Sequence, residues 1–212
     1  MKILITFLSL AFFSSDYVSH KNCQTSQRKD MGVEIIIEKV DVFEYLKETQ
    51  ESLDESVEGL SEEQMTFKPD AESWSVAEIV EHVVIVEGAL KSMLEARFQD
   101  GETPELKEEV KMTDDQVVAL ITDRSGKIQT QDQFQPSGKF SEADEAVEAF
   151  NQQRETLIDW LKDSDVDMRN YVNEFPFGKI DAYQTVLFLA GHSARHTAQI
   201  EEVKSNPDFP QS

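Results

Sequence analysis

Four long segments of the chain carry apolar residues at intervals of three and four, the spacing that gathers them on one face of an α-helix. Their approximate limits are Phe43 to Leu60, residues 76–98, a segment that opens at Ser141, and a segment that ends near Lys204. Each helix can bury its apolar face only against a neighbour. The pattern therefore predicts an all-α protein built as a bundle.

Capping and turn residues indicate where the helices begin and how they are connected. Residues 75–78 read S-x-x-E, and residues 181–184 follow the related pattern D-x-x-Q, both typical of a helix start. Residues 99–113 are polar and broken by glycine and proline, and residues 123–139 look irregular, with a short helix predicted between them. The sequence thus predicts an up-down four-helix bundle with a long connection between the second and third helices.

Sheet structure is not expected. No stretch of residues 33–212 alternates apolar and polar positions for long, although the run from Ile35 to Ile37 could form a strand in isolation. Residues 175–178 are interpreted as a turn before the last helix.

Residues 1–30 differ in character from the rest. Lys2 precedes an apolar run, Ile3 to Phe13, in the order of a secretory signal, and that run is too short to span a bilayer as a helix. The run contains no clear cleavage site. Two interpretations stay open: a signal for export, which we prefer, or an extension before a true start at Met31 in a cytoplasmic protein. In either case the folded domain is expected over residues 33–209.

Composition narrows the classes of function. The 212 residues include 42 acidic and 20 basic side chains, giving a formal net charge of −22, and 39% of the residues are hydrophobic. That length and apolar content suit one folded domain, and the sign of the charge argues against a nucleic-acid partner. Because Cys23 is the single cysteine, an internal disulfide and a cysteine-based metal site are excluded.

Three of the four histidines lie at predicted inward positions of two helices. His192 and His196 are four residues apart, so both project from one face of the last helix. His82 lies on the apolar face of the second long helix and can face them across the core. Three neutral imidazoles form the ligand set of a catalytic zinc site with one position left for water or substrate, and imidazole also suits Ni and Fe.

A purely structural interpretation competes with the metal site. An H-x-x-x-H pair occurs by chance, and a lone histidine at position 82 would more often be a hydrogen-bonded core residue. The joint pattern favours the metal, since burying three imidazoles without a shared partner would cost roughly 1–3 kcal/mol for each unsatisfied group.

The sequence resembles the DinB/YfiT-like superfamily of metal-dependent enzymes over about residues 33–209. The matching motifs are Phe67-Lys68-Pro69 leading to Trp74-Ser75, then Glu78-Ile79 and Glu81-His82, then Phe150 with Arg154, and finally the run from Gly191 to Ile200. The resemblance implies a four-helix bundle, often dimeric, with metal ligands at His82, His192 and His196.

The same resemblance leaves the reaction open. Characterised relatives include thiol S-transferases that use a low-molecular-weight thiol such as bacillithiol, and a mycothiol-dependent isomerase. A divalent ion could activate a thiol for transfer to a small-molecule substrate, or water for hydrolysis. A metal-binding bundle without turnover is the third hypothesis.

Residues next to the ligands could orient them, because a ligating imidazole usually donates its second N–H to an oxygen. Gln199 follows His196 by three, and Glu78 precedes His82 by four, although Glu78 also belongs to the capping motif. Arg195 could bind an anionic substrate, but an ion pair with a nearby carboxylate is the favoured interpretation. Glu87 is interpreted as a solvated or helix-pairing charge.

Overall fold

The structure is a computed structural model that describes residues 41–126, 129–140 and 143–211. The predictions for residues 1–30 and for the run Ile35 to Ile37 lie outside these residues. The helices are α1 (Val42–Val57), α2 (Glu62–Thr66), α3 (Val76–Asp100), α4 (Asp114–Thr122), α5 (Ala143–Asp163) and α6 (Ala182–Lys204), and the strands are β1 (Val172–Phe175) and β2 (Gly178–Asp181). Short 3-10 turns cover Pro104–Glu109, Asp132–Phe134 and Met168–Asn170. Within the described residues, no helix is long and apolar enough to cross a membrane.

Both predicted capping motifs are present. The Ser75 hydroxyl accepts a hydrogen bond from the backbone N–H of Glu78, whose carboxylate accepts the N–H of Ser75 in return. Asp181 and Gln184 make the same reciprocal pair at the start of α6. These caps satisfy N–H groups that have no partner inside the helix, so they set where α3 and α6 begin.

The first predicted helix is shorter than its apolar stripe suggested. Helix α1 ends at Val57, and Gly59 follows with φ +72°, a left-handed conformation that glycine adopts without steric cost. Leu60 therefore lies beyond α1, and the separate helix α2 follows.

The expectation of no sheet is also wrong in one place. Strands β1 and β2 form an antiparallel hairpin in which Val172 faces Asp181 and Phe175 faces Gly178, so the predicted turn is the hairpin's turn. Each strand has four residues, too few for alternation to stand out against the helical pattern.

Four long helices pack as a bundle in which α1 and α3 each contact both α5 and α6. Near the two ends of α1, the N–H of Val42 meets the Tyr183 hydroxyl at 3.1 Å and the carbonyl of Ser56 meets Lys204 Nζ at 2.9 Å, so α1 and α6 run in the same direction.

Helices α3 and α5 are also parallel to each other. Gln153 bonds the carbonyl of Val84, and further along both helices Lys91 lies over the Trp160 ring. The four long helices thus point up, down, down and up, which differs from the predicted alternation. Because α3 and α5 are parallel neighbours, the connection between them has to return the chain along the bundle.

Helix α4, in that connection, packs closely on α6. A Cβ added at Gly191 would lie 2.5 Å from Cγ2 of Ile121, so only glycine allows this approach. The close contact keeps the end of α4 beside the middle of α6.

Two apolar clusters fill the bundle. One contains Leu46, Leu90, Leu157 and Ala190, and the other contains Leu53, Val83, Phe150 and Ile200. On every long helix, a buried polar residue separates the two clusters. These residues are Thr49, Glu87, Arg154 and Ser193, and we call them the ion-pair network.

Candidate metal centre

His82, His192 and His196 meet in the interior of the bundle. His82 lies in the second turn of α3, and the other two lie one turn apart on α6, which runs antiparallel to α3. Their ring centroids are separated by 4.4 Å for His192 and His196, 4.7 Å for His82 and His196, and 5.2 Å for His82 and His192. One nitrogen from each ring lies within 4.8 Å of the others, and all three residues are buried. The structure therefore brings together the three histidines that the sequence singled out.

Hydrogen bonds orient two of the three rings. His82 Nδ1 lies 2.7 Å from the carbonyl oxygen of Phe134, and His196 Nδ1 lies 2.9 Å from Oε1 of Gln199. Both partners accept, so each Nδ1 carries the proton and each Nε2 presents a lone pair. His192 Nδ1 is buried with no hydrogen-bond partner among the described residues.

Burial keeps the imidazoles neutral. It lowers the pKa of His196 to about 3, and His82 lowers it further, while the hydrogen bond that His196 donates to Gln199 opposes the shift. Burial also lowers the pKa of His192 well below its ordinary value, and neighbouring His196 adds to the effect. The pKa of His82 is lowered by burial despite the carbonyl of Phe134. At neutral pH all three rings thus retain the lone pairs that metal binding requires.

The arrangement fits a divalent ion. The Nε2 atoms of His192 and His196 are 3.2 Å apart, and two nitrogen ligands at 2.0–2.1 Å from a tetrahedral ion would be separated by about 3.3 Å. A hydrogen bond between these two atoms could satisfy that pair alone. It would leave the inward nitrogen of His82 unpaired, whereas one ion can accept all three lone pairs.

The Phe134 carbonyl was not anticipated from the sequence. A backbone carbonyl has no residue-specific signature, and Phe134 is 52 residues from His82. The His82 ring also packs against Trp74, with centroids 4.8 Å apart. Trp74, interpreted from the sequence as a core anchor, thus also forms a wall of the candidate centre.

Of the three residues predicted to orient the ligand histidines, only one makes a hydrogen bond to a histidine among the described residues. Gln199 contacts His196. Glu78 is occupied by the cap of α3 and by Lys68 Nζ at 2.7 Å, and it makes no hydrogen bond to a histidine among the described residues. Arg195 donates to the carbonyls of Ile121, Asp123 and Gly126.

Among the described residues, Arg195 bonds backbone oxygens and forms no ion pair within 4.0 Å, although the charges of Asp123 and Glu202 attract it. These carbonyls lie at and beyond the end of α4, where unpaired oxygens attract a cation. Arg195 holds this end of α4 beside α6.

The ion-pair network spans all four long helices, and two of its members, Glu87 and Ser193, lie on α3 and α6 with the histidines. Arg154 pairs with Glu87 and donates to Ser193 at 2.7 Å, to Thr49 at 3.0 Å and to the carbonyl of Leu46 at 2.6 Å. Ser193 donates to Glu87 at 2.6 Å. Glu87 is only 1% exposed, so it is not a solvated charge, and its ion pair with Arg154 of α5 agrees with the alternative interpretation as a helix-pairing charge.

The packing of four long helices around three buried, converging histidines places this chain in the class of helical-bundle proteins with a three-imidazole centre. Within that class, the model of the DinB superfamily matches residues 45–200, and the chain belongs to this family.

Two further comparisons agree with the assignment. The uncharacterized protein YuaE of Bacillus subtilis (strain 168) is 26% identical over 152 residues, which cover 70% of this chain and 88% of that protein. The solved structure of YfiT from Bacillus subtilis, described as having an unusual four-helix bundle topology, is similar with a TM-score of 0.51 at 13% identity, covering 85% of this chain and 97% of that one. At this identity the second likeness concerns the fold alone.

Proposed function

We propose that this chain is a metal-dependent enzyme whose centre is a divalent ion held by His82, His192 and His196. The observation that supports the proposal is the convergence of three buried, neutral imidazoles, two of which have Nδ1 occupied by an acceptor. Imidazole ligands suit Zn, Ni and Fe, so the ion is to be identified by analysis of the purified protein.

Such an ion, held by His82, His192 and His196, would lower the pKa of a thiol or a water molecule bound to it. The chain's own contribution is to hold the imidazoles neutral, oriented and shielded from solvent. Phe134 and Gln199 orient two rings, and Trp74 packs against His82.

We infer that the reaction is transfer of a low-molecular-weight thiol to a small electrophilic substrate. The three carboxylates of α3 closest to His82 in sequence are all engaged: Glu78 at the helix cap, Glu81 with backbone N–H groups, and Glu87 with Arg154. None of these three is free to act as a general base. A thiol, with an ordinary pKa near 8.5, needs less help in losing its proton than water does.

Hydrolysis is the second candidate, because YfiT is described as a probable metal-dependent hydrolase. The distinguishing experiment begins with metal analysis and titration of the chelator-treated protein with Zn, Ni and Fe. The loaded protein is then assayed with thiols and a chromogenic electrophile, and separately with chromogenic esters and amides.

Thiol transfer is supported if the thiol reaction requires the ion and is lost in His196→Ala, while Asp181→Asn, far from the centre, retains it. Ester or amide cleavage with the same dependence would support hydrolysis instead. An ion that raises the melting temperature with neither reaction would indicate the bundle without turnover, and no stoichiometric ion at all would refute the metal centre. The predicted homodimer is tested on the same sample by sedimentation.

A further inference from the structure

Glu81 is a buried carboxylate that neither the metal centre nor the ion-pair network uses. It is 3% exposed and lies on α3 directly before His82. Its Oε1 accepts the N–H of Ser137 at 2.8 Å, the hydroxyl of Ser137 at 2.9 Å and the N–H of Lys139 at 3.1 Å, and Oε2 accepts the N–H of Gly138 at 3.1 Å. A single side chain thus binds three consecutive residues of the connection between α4 and α5.

The same connection supplies the acceptor for His82. Phe134 ends the 3-10 turn Asp132–Phe134, and its carbonyl lies on His82 Nδ1. Only three peptide units separate Phe134 from Ser137, so the Glu81 contact and the His82 contact are joined by a chain that can span at most about 10 Å. Moving one end of this short link displaces the other.

The link is stiff as well as short. Pro136 has a restricted φ, and a residue before proline is confined to extended conformations, which Gln135 adopts with φ −66° and ψ 141°. The hydrogen bond from the N–H of Gln135 to the carbonyl of Asp132, at 3.2 Å, closes the preceding turn. The position of Ser137 therefore largely determines the position of the Phe134 carbonyl.

We propose that Glu81 is a positioning residue for the metal centre, acting through residues 134–137 to keep the Phe134 carbonyl on His82 Nδ1. By holding that acceptor, Glu81 keeps the proton of His82 on Nδ1 and its Nε2 lone pair directed at His192 and His196. The link to metal affinity rests on the proposed function, whereas the effect on the proton position of His82 does not.

The first test is nuclear magnetic resonance of the histidine ring nitrogens in the metal-free protein. In the wild type, His82 is expected as the form protonated at Nδ1. In Glu81→Ala the two neutral forms should mix and the Nδ1 proton should exchange faster with solvent. Glu81→Gln, which keeps one acceptor oxygen, should lie between the wild type and Glu81→Ala.

The second test is the zinc dissociation constant of the same proteins. Loss of a group that orients a ligand typically weakens metal binding by about 10–100-fold, which is the increase expected for Glu81→Ala, with a smaller increase for Glu81→Gln.

Asp181→Asn is the matched control. Asp181 is also a buried carboxylate that accepts backbone and side-chain hydrogen bonds, from Gln184 at 2.8 Å and Arg169 at 2.9 Å. It precedes His192 by about 16 Å of helix, so its variant should lose stability without changing His82 or the zinc constant.

The proposal is overturned if His82 remains fully protonated at Nδ1 in Glu81→Ala, or if Asp181→Asn disturbs His82 equally. Should Glu81→Ala fail to fold, Glu81→Gln decides by the same criterion. If the wild type binds no ion, the proposed function fails, and the proton position of His82 still tests the role of Glu81. If the wild type binds zinc and Glu81→Ala binds it within twofold, the effect on affinity is refuted.

Discussion

The centre of this bundle contains two buried polar groups that share helices α3 and α6. They differ in how far the chain supplies partners for their charged and hydrogen-bonding atoms. In the ion-pair network, the charge of Arg154 is cancelled by Glu87, and its donors reach Glu87, Ser193, Thr49 and a carbonyl. In the histidine cluster, neutral imidazoles point their inward nitrogens at one another, and no cationic side chain of the described residues bonds to those nitrogens. Burial alone therefore does not identify a functional site. The feature that distinguishes the histidine cluster, within the part of the chain that the structure describes, is that no cation neutralises its inward acceptors.

The largest expected effect is on the ion-pair network. Glu87→Ala should lower the free energy of unfolding by about 3–5 kcal/mol, because it leaves the Arg154 charge buried without its partner. Urea denaturation in the presence of a chelator measures this loss. Glu51→Ala, an exposed carboxylate on α1, is the control and should change stability by less than about 0.5 kcal/mol. A loss of unfolding free energy below about 1 kcal/mol in Glu87→Ala would show that Arg154 does not depend on Glu87 for its neutralisation.

An added metal ion should stabilise the protein through the histidine cluster and not through the ion-pair network. An ion at about 100 times its dissociation constant should stabilise the wild type by about 2.7 kcal/mol, since it binds the folded state alone. His192→Ala and His196→Ala should lose this increment, and Glu51→Ala should retain it. Thermal denaturation with and without the ion provides the measurement, and an equal increment in the histidine variants would place the ion elsewhere.

Acid should destabilise the metal-free protein through the same cluster. The folded protein holds His196 at a pKa of about 3, and an unfolded histidine titrates near 6.5, so the unfolded chain binds the proton first as pH falls. The stabilising contribution of neutral His196 is full above about pH 6.5 and decreases from there towards pH 3, by about 1.4 kcal/mol per unit.

Between pH 6.5 and 5 the wild type should thus lose about 2 kcal/mol from this residue. Urea titrations at several pH values in chelator test the slope, and His196→Gln should flatten it. A slope unchanged by that substitution would contradict the buried, neutral state of His196.

The smallest predicted effect concerns Gln199. Gln199→Ala removes the acceptor at 2.9 Å from His196 Nδ1 and should weaken metal binding about tenfold, with little change in metal-free stability. Calorimetric zinc titration measures the affinity. Lys68→Ala, which removes a half-exposed ion pair with Glu78, is a suitable control because it lies outside the cluster. Equal zinc affinities in Gln199→Ala and the wild type would show that Gln199 does not contribute to metal binding.

Much of the local structure could be predicted from residue order. The start of α3 at Val76, the start of α6 at Ala182 and the limits of α4 follow from caps and periodicity, because both depend on residues within a turn of each other. The end of α1 was overestimated because Leu60 continues the stripe after Gly59 has already left the helix. The hairpin was missed because its strands are too short to show a period.

The sequence by itself determined that His192 and His196 share a face of one helix, since a spacing of four residues decides this locally. It also placed His82 on an apolar face. Tertiary structure alone decided that α3 runs antiparallel to α6, that α5 runs parallel to α3, and that Glu81 and the Phe134 carbonyl support His82. These contacts join residues more than fifty positions apart. Such contacts depend on how helix faces pack and how connections return the chain, and no periodicity within a segment encodes either.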